Sequence, residues 1–188
     1  AMVMADEAHG TGVFGENGRG VVEHFNLSKK VSIVMGTLSK AVGSLGGYVS
    51  GDADLINFLR NKARPFMYTT ALPPAVCAAS IAGIKLIRKN PSLRKSLWNN
   101  VRYLKKELDL LNFNLIPSES PIIPILIGDA KKAVDVSKFL YKKGILILAI
   151  RPPTVPAKSS RLRMTVMSTH TKKDLEKLLD VLSNVQNL

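Results

Sequence analysis

The sequence predicts an α/β fold that begins with part of a large, mostly parallel sheet domain and ends with a smaller α+β domain. Two short apolar runs, 3–5 and 31–35, are separated by a glycine-rich loop, and helical patterns follow them. Apolar strands of this kind favour a parallel sheet that is covered on both faces. After Asn90 and Pro91 short strands and helices alternate, so we predict a boundary there. The predicted domains are 1–90 and 91–188.

Each predicted element follows from a local signal. The Asn90-Pro91 pair ends one helix, because proline does not continue a helix. Pro74 suits the first turn of a long helix, and the segment before it is extended, because residues that precede proline avoid helical angles. The predicted strands are 3–5, 31–35, 46–50, 122–127, 145–150 and 161–166, and the predicted helices are 54–63, 75–87, 92–111, 130–142 and one that opens with a capping-box-like pattern at Thr171.

Composition and charge limit the possible functions. The chain has 188 residues, of which 46% are hydrophobic, and this suffices for a sizeable core. Its one cysteine, Cys77, is expected to be a small buried hydrophobe, and a reducing, cytoplasmic setting fits best. No apolar run approaches the length of a membrane span, so no membrane partner is expected.

The net charge of +13 would by itself indicate a polyanion as partner. The basic residues lack the pattern of interleaved aromatic side chains that base stacking requires. We therefore expect solvated helix faces and no nucleic-acid site, although the charge would also attract an anionic acyl-coenzyme A. The basic residues in question are Arg88, Lys89, Arg94, Lys95, Arg102, Lys105 and Lys106.

Four polar side chains follow the first two predicted strands. Asp6 and His9 come after the first strand, and Thr37 and Lys40 come after the second. Ligands of open α/β sheets bind beyond the carboxyl ends of the strands, so we expect these side chains to share a site. An acid, an imidazole, a hydroxyl and an amine together suit pyridoxal 5'-phosphate (PLP) held as a Schiff base on Lys40.

The proposed roles follow from the chemistry of that cofactor. Asp6 would stabilise the protonated pyridine nitrogen, whereas Glu7 points to the other side of an extended chain. His9 would lie near the phenolic oxygen, Thr37 would donate to the phosphate, and Lys40 would be both imine-former and general base. Each residue also has a plainer interpretation as a turn residue, core histidine, helix cap or surface lysine. The combination favours the cofactor interpretation.

Longer stretches of the sequence resemble a known family. The stretches are ADEAHGTGVFGENGRG, GTLSKAVGSLGGYVSG, ARPFMYTTALPP and IRPPTVPAKSSRLRMTVMSTHT. They are similar to the α-oxoamine synthases, a branch of the fold-type I PLP enzymes with the aspartate aminotransferase architecture. The resemblance implies a PLP-dependent acyltransferase that works as a homodimer, with 1–90 in the PLP-binding large domain.

Within that family, residues 150–156 are most similar to the members that act in biotin biosynthesis. Those enzymes condense alanine with pimeloyl-coenzyme A, or with the pimeloyl thioester of a carrier protein, and release carbon dioxide to give 8-amino-7-oxononanoate. The alternative within the family is a sibling that uses glycine or serine with another acyl-coenzyme A, such as a glycine C-acetyltransferase.

The resemblance also implies roles for individual residues. It gives Asp6, His9, Thr37 and Lys40 the roles described above, and it implies that Thr70 reaches the phosphate of the neighbouring subunit.

Further residues resemble the family's substrate contacts. Thr154 matches a substrate contact, Arg163 matches the arginine that binds the amino-acid carboxylate, and Arg151 would assist there or at the pimeloyl end. Arg161 and Arg163 would share one face of a strand, so spacing alone does not choose between them.

The resemblance implies that the chain holds about half of an enzyme. The family's glycine-flanked phosphate-binding helix start, its ring-stacking residue and a serine near the ring oxygen have no counterpart in the sequence. We therefore expect a separate N-terminal half or a truncated sequence. Two further functions stay open, namely a non-catalytic remnant or assembly partner and a basic module that binds polyanions.

Overall fold

The computed structural model describes residues 1–187, and they divide into two compact units. The first unit is Ala1–Arg94, and the second begins at Lys95. The predicted boundary after residue 90 lies close to this division. Among the described helices, none combines the length and the apolar character that a membrane crossing needs.

The helices and strands of the described residues follow one another in the predicted order. The first unit contains β1 (Met4–Asp6), α1 (Val21–His24), β2 (Ile33–Thr37), β3 (Gly47–Ser50), α2 (Ala53–Lys62), α3 (Arg64–Met67) and α4 (Pro74–Lys89). They are followed by α5 (Pro91–Leu110), β4 (Ile122–Gly128), α6 (Ala130–Lys142), β5 (Leu148–Ile150), β6 (Ser160–Thr165), α7 (Lys172–Ser183) and a final 3-10 turn. The short helices α1 and α3 were not predicted.

The sheet of the first unit has the order β1-β2-β3. β1 and β2 are parallel, with Asp6 in register with Met35. β3 runs antiparallel to β2, with Thr37 opposite Gly47. The third strand departs from the parallel arrangement because only residues 38–46 connect it to β2, and a parallel crossover needs a dozen or more residues.

The second unit has a well-filled core. Its antiparallel sheet has the order β4-β6-β5, and the register partners Ile125 and Leu162 are both fully buried. Every second residue of β6 is buried from Ser160 to Met164, as expected for a sheet with one face on the core. Buried leucine and valine side chains of α5, α6 and α7 complete the core; they include Val101, Leu104, Leu108, Val136, Leu140, Leu175 and Leu182.

The strand predicted over 145–150 is wrong in its first half. Gly144 adopts a left-handed angle, and its N–H donates to the carbonyl of Tyr141. The N–H of Ile145 donates to the carbonyl of Leu140. These bonds close the end of α6 in the manner of a glycine C-cap, so the strand begins only at Leu148.

The first unit, in contrast, buries little apolar surface. Among residues 1–94, all of which the structure describes, Val42 is the only buried residue with an apolar side chain. Cys77, predicted to be buried, is exposed on α4. Exposed apolar side chains in this number are typical of an interface. The exposed apolar residues include Met2, Val3, Met4, Phe58, Phe66, Tyr68, Ile81, Ile84 and Leu86.

The predicted capping pattern at the start of α7 is confirmed, and it gives a pH-dependent prediction. Thr171 donates to Asp174 from its side chain (2.7 Å) and from its backbone N–H (2.8 Å), and these bonds hold the pKa of Asp174 below its usual value. A lowered folded-state pKa stabilises the fold above the unfolded-state pKa. This stabilisation is lost as the pH falls through the folded-state value.

We expect Thr171→Ala to lower the free energy of unfolding by about 1 kcal/mol at neutral pH, because the cap is lost. The difference from the parent should shrink as the pH falls through the acidic range. Chemical denaturation at several pH values measures both effects. Thr169→Ala, a change at an exposed threonine nearby, is the control; an equal loss in both variants would contradict the account.

Candidate active site

The parallel pairing of β1 and β2 brings two predicted site residues to one edge of the sheet. Asp6 is the last residue of β1 and Thr37 is the last residue of β2. Asp6 is in register with Met35, and Thr37 lies two residues further along the same strand. Because side chains alternate along a strand, Asp6 and Thr37 point to the same face of the sheet. This face is called the site face below.

The Asp6 carboxylate is exposed on this edge. Its Oδ1 atom accepts a hydrogen bond from the backbone N–H of Ala8 at 2.8 Å, so the turn interpretation of Asp6 is also realised. His9 lies three residues beyond β1 and is exposed, which excludes its interpretation as a core histidine. The carboxylate is therefore accessible to a cationic group.

The hydroxyl of Thr37 is engaged within its own loop. Thr37 Oγ1 donates to the carbonyl of Gly46 at 3.1 Å and accepts from the backbone N–H of Ser39 at 3.2 Å. The Ser39 hydroxyl lies 2.7 Å from Thr37 Oγ1 and must be the donor, because the Thr37 hydrogen is already committed. No helix begins at Lys40, so the plainer interpretation of Thr37 as a helix cap is wrong. Ser39 was not among the predicted site residues.

Lys40 lies in a compact loop between β2 and β3. The N–H of Leu38 donates to the carbonyl of Gly46 at 2.9 Å, and that of Ser44 donates to the carbonyl of Leu38 at 2.8 Å. The Lys40 carbonyl accepts a bond from Gly43, whose left-handed angle glycine tolerates. The Lys40 side chain is exposed, and among the described residues no carboxylate pairs with its amine. The loop thus fixes the backbone and leaves the amine available.

Helix α4 anchors the Lys40 loop. Val42 is buried, and a Cβ at Gly83 of α4 would lie 2.3 Å from the Val42 carbonyl oxygen. The Ser44 hydroxyl donates to the carbonyl of Val76 at 3.0 Å and accepts from Ser80 at 2.8 Å. The close approach of the loop to α4 therefore requires glycine at position 83.

Thr70 lies in the extended segment between α3 and α4 and is exposed. The structure records no contact between Thr70 and Asp6, Thr37 or Lys40. The role predicted for Thr70 thus stays a prediction.

The second unit carries the three predicted substrate contacts. Arg163 lies in β6 between Pro124 of β4 and Leu148 of β5, and it points away from the core together with Arg161. Arg161 Nε donates to the carbonyl of Ser159 at 3.0 Å, whereas Arg163 is exposed and uncommitted. This difference favours Arg163 as the arginine that can receive a ligand.

Arg151 and Thr154 occupy the turn that follows β5. Both are exposed, and the N–H of Thr154 donates to the Arg151 carbonyl at 3.1 Å. This hydrogen bond closes the turn and keeps the two residues near each other in space. Among the described residues, no cluster of histidine, cysteine and acidic side chains could hold a metal ion.

An open cavity of about 1130 Å³ lies in the first unit, on the face of the sheet opposite the site face. Val34, Tyr48 and Ser50 line it, and the register places these residues on the face that Asp6 and Thr37 avoid. None of the predicted cofactor residues lines this cavity. The candidate site is therefore an exposed sheet edge rather than this cavity.

Arg94 was predicted to lie on a solvated helix face, and this prediction is wrong. Arg94 is buried, and its guanidinium donates to the carbonyls of Ile87 at 2.8 Å and Glu16 at 2.5 Å. The prediction was wrong because helical spacing does not show that a distant glycine loop covers this side chain.

Comparison with known proteins identifies the family. A family model for aminotransferase class I and II matches residues 1–182. The chain belongs to the aminotransferase class I and II family. 8-amino-7-oxononanoate synthase of Thermoanaerobacter pseudethanolicus is 44% identical over 185 residues, a match that covers 98% of this chain and 47% of that protein.

Solved structures of this aminotransferase family have the same fold. A high-resolution structure of SPT with a PLP internal aldimine is 33% identical, with a TM-score of 0.95, and the match covers 100% of this chain and 48% of that one. 8-amino-7-oxononanoate synthase from Francisella tularensis is 30% identical, with a TM-score of 0.87, over 98% of this chain and 54% of that one. The predicted fold and family resemblance are confirmed, and the chain spans about half the length of these relatives.

Replacing Gly83 by alanine tests the anchoring of the Lys40 loop. An alanine in a helix is normally more favourable than glycine by about 1 kcal/mol. Here its Cβ would collide with the Val42 carbonyl, and overpacking of this kind costs about 1–3 kcal/mol. We expect Gly83→Ala to lower the urea midpoint and to speed amide exchange at Gly43 and Ser44.

Ala79→Gly is the matched control on the same helix. Ala79 is exposed, so this change should lower stability by about 1 kcal/mol through helix propensity alone, without local exchange in the loop. A rise in stability for Gly83→Ala would contradict the proposed anchoring.

Proposed function

We propose that the chain is the C-terminal, catalytic part of a PLP-dependent α-oxoamine synthase. The observation that supports it is the placement of Asp6, Thr37 and Lys40 at the carboxyl edge of two parallel strands. The structure of SPT with a PLP internal aldimine, which shares this fold, supports the same cofactor. The proposed reaction joins alanine to the pimeloyl group of a thioester of coenzyme A or of a carrier protein. It gives 8-amino-7-oxononanoate and releases carbon dioxide and the free thiol of the carrier.

The described residues fit PLP. An exposed carboxylate at Asp6 suits a protonated ring nitrogen, and the uncommitted amine of Lys40 suits an aldehyde. The Ser39 hydroxyl would donate to a phosphate on the same loop by turning away from Thr37, because the Thr37 hydrogen is committed to the Gly46 carbonyl. When bound, PLP supplies an aldehyde that links to an amine and a ring that withdraws electrons from the α carbon of the substrate.

The side chains of this protein would have separate roles in the reaction. The Asp6 carboxylate would hold the proton on the ring nitrogen, and His9 would orient the ring. Lys40 would hold the cofactor through its Nζ amine, and the same amine, when free, would take the proton from the alanine α carbon. The Arg163 guanidinium binds the alanine carboxylate through a bidentate pair, and Thr154 and Arg151 contact the substrates.

A sibling activity is the second candidate. The SPT structure matches with a TM-score of 0.95, so the fold alone suits a serine-using relative equally well. The Thermoanaerobacter relative named 8-amino-7-oxononanoate synthase, at 44% identity, supports alanine and a pimeloyl thioester. The two solved structures do not separate the siblings, since SPT is 33% identical and 8-amino-7-oxononanoate synthase is 30% identical. A product assay with alanine, glycine and serine against pimeloyl- and acetyl-coenzyme A separates these siblings.

We further propose that an N-terminal half and a second copy complete the enzyme. The exposed apolar surface of the first unit supports a covering partner, because Val42 alone of the apolar side chains in residues 1–94 is buried. The relatives contain about as much chain again as this one. A homodimer and a cytoplasmic location are part of the same proposal, the latter from the single cysteine.

The direct test of the cofactor proposal is chemical trapping on Lys40. The chain, alone and mixed with the N-terminal half of the Thermoanaerobacter relative, is incubated with PLP, reduced with borohydride and digested for mass spectrometry. We expect the pyridoxyl group on the peptide that contains Lys40, and its loss in Lys40→Ala. Lys85→Ala, which removes an exposed lysine of α4, should leave the labelling unchanged.

Labelling spread evenly over the lysines, or full labelling of Lys40→Ala, would refute the cofactor proposal. A non-catalytic assembly partner would show binding to the N-terminal half and no labelling. A basic module for polyanions would show salt-dependent nucleic-acid affinity that Lys40→Ala leaves unchanged.

The amino-acid carboxylate site gives a separate prediction. We expect Arg163→Lys to raise the KM for alanine about tenfold or more with a smaller change in kcat, because a charged hydrogen bond contributes about 1.5–3 kcal/mol. Arg161→Lys should change the KM less, since Arg161 already donates to Ser159. Steady-state kinetics of the assembled protein measures both. A larger effect at Arg161 would assign the carboxylate to that residue instead.

A further inference from the structure

Glu7, which follows Asp6 directly, is fully buried. Its Oε2 atom accepts a hydrogen bond from the N–H of Val21 at 2.8 Å, and its Oε1 atom accepts one from Val22 at 2.7 Å. Its own N–H donates to the carbonyl of Met35 at 2.7 Å and extends the pairing of β1 with β2. Glu7 thus connects the sheet edge to the first residues of α1.

Glycines make room for this carboxylate. A Cβ at Gly10 would lie 1.8 Å from Glu7 Oε2, and a Cβ at Gly20 would lie 2.2 Å from it. Gly20 also has a φ of 117°, which disfavours other residues. The Glu7 carboxylate therefore fills the inside of the loop formed by residues 8–20, here called the glycine loop.

The far side of the glycine loop is braced independently. Arg94 holds the Glu16 carbonyl, and the Thr11 hydroxyl lies 2.6 Å from the Tyr48 hydroxyl. Glu23 accepts hydrogen bonds from the Asn17 side chain at 2.7 Å and from the Arg19 N–H at 3.0 Å. Partial burial raises the pKa of Glu23, but these bonds outweigh it and hold the pKa below its usual value. With these braces in place, Glu7 determines how the loop joins β1.

Residues 6–9 form the turn that leads from the end of β1 into the glycine loop, with Asp6 just before Glu7 and His9 two residues after it. Loss of the Glu7 carboxylate would leave two N–H groups without an acceptor and an empty space between Gly10 and Gly20. The turn could then relax, and the Asp6 carboxylate and the His9 ring would lose their fixed positions. The effect would reach the cofactor without any contact between Glu7 and the cofactor.

We propose that Glu7 is a positioning residue whose buried carboxylate, bound to the backbone N–H groups of Val21 and Val22, fixes the turn that presents Asp6 and His9 to PLP. This inference rests on the proposed function. Glu7 itself would not contact the cofactor, because strand alternation points its side chain away from the site face.

The test compares the parent with Glu7→Gln, a change that keeps the size of the side chain and loses one acceptor oxygen. PLP is titrated into the chain assembled with the N-terminal half, and the circular dichroism of the bound cofactor's visible band is recorded at saturation. We expect Glu7→Gln to weaken PLP binding about tenfold or more. We also expect an altered visible signal per bound cofactor, which a mere loss of stability would not change.

Glu16→Gln is the matched control, because Glu16 is an exposed glutamate of the same loop whose carboxylate binds none of the described residues. Val21→Pro tests the interaction from the donor side, since it removes the Val21 N–H and places the proline Cδ where that hydrogen points at Glu7 Oε2, which displaces the carboxylate. It should reproduce the effect of Glu7→Gln, and the double variant should be no worse than the more impaired single variant.

If Glu7→Gln does not fold, Glu7→Asp replaces it in the same titration, because it keeps both acceptor oxygens on a side chain that is one methylene shorter. Unchanged PLP affinity and an unchanged visible signal in the folded variant overturn the positioning role while the trapping of PLP on Lys40 stands. Absence of PLP binding in the parent overturns both this inference and the proposed function.

Discussion

The parallel pairing of β1 with β2 is the constraint on which the candidate site depends. It fixes Asp6 beside Met35 and so brings the ends of two strands, far apart in sequence, to one edge. Every group assigned to the cofactor in the first unit, apart from Thr70, lies at that edge or within three residues of it. A shift of this pairing by one residue would turn Asp6 to the opposite face and separate it from Thr37.

The two faces of this sheet serve different purposes. The face with Asp6 and Thr37 presents polar groups that are exposed or engaged only in their own turns. The other face holds Glu7 and Tyr48, which bind the glycine loop. Alternation along two short strands therefore separates the groups that would contact a ligand from those that hold the backbone in place.

Local patterns predicted most of the fold because strands and helices here have clear ends. The strand ends before His9 and Lys40, and the face of the sheet to which Glu7 points, follow from short-range alternation and spacing. The burial of Arg94 and the hydrogen bond between Thr37 and Gly46 could not be predicted, because each depends on a loop whose path is set by left-handed glycines. The choice between Arg161 and Arg163 could not be predicted either, because it depends on the hydrogen bond from Arg161 to the Ser159 carbonyl.

The central claim is that the Asp6 carboxylate faces the ring nitrogen of a cofactor held by Lys40. Nitrogen-15 NMR of the chain, assembled with an N-terminal half and loaded with PLP labelled at the ring nitrogen, tests it most directly. The account predicts the shift of a protonated nitrogen that persists in alkaline buffer, and an unprotonated shift in Asp6→Asn. An unprotonated nitrogen in the parent, or the same shift in both proteins, would contradict it.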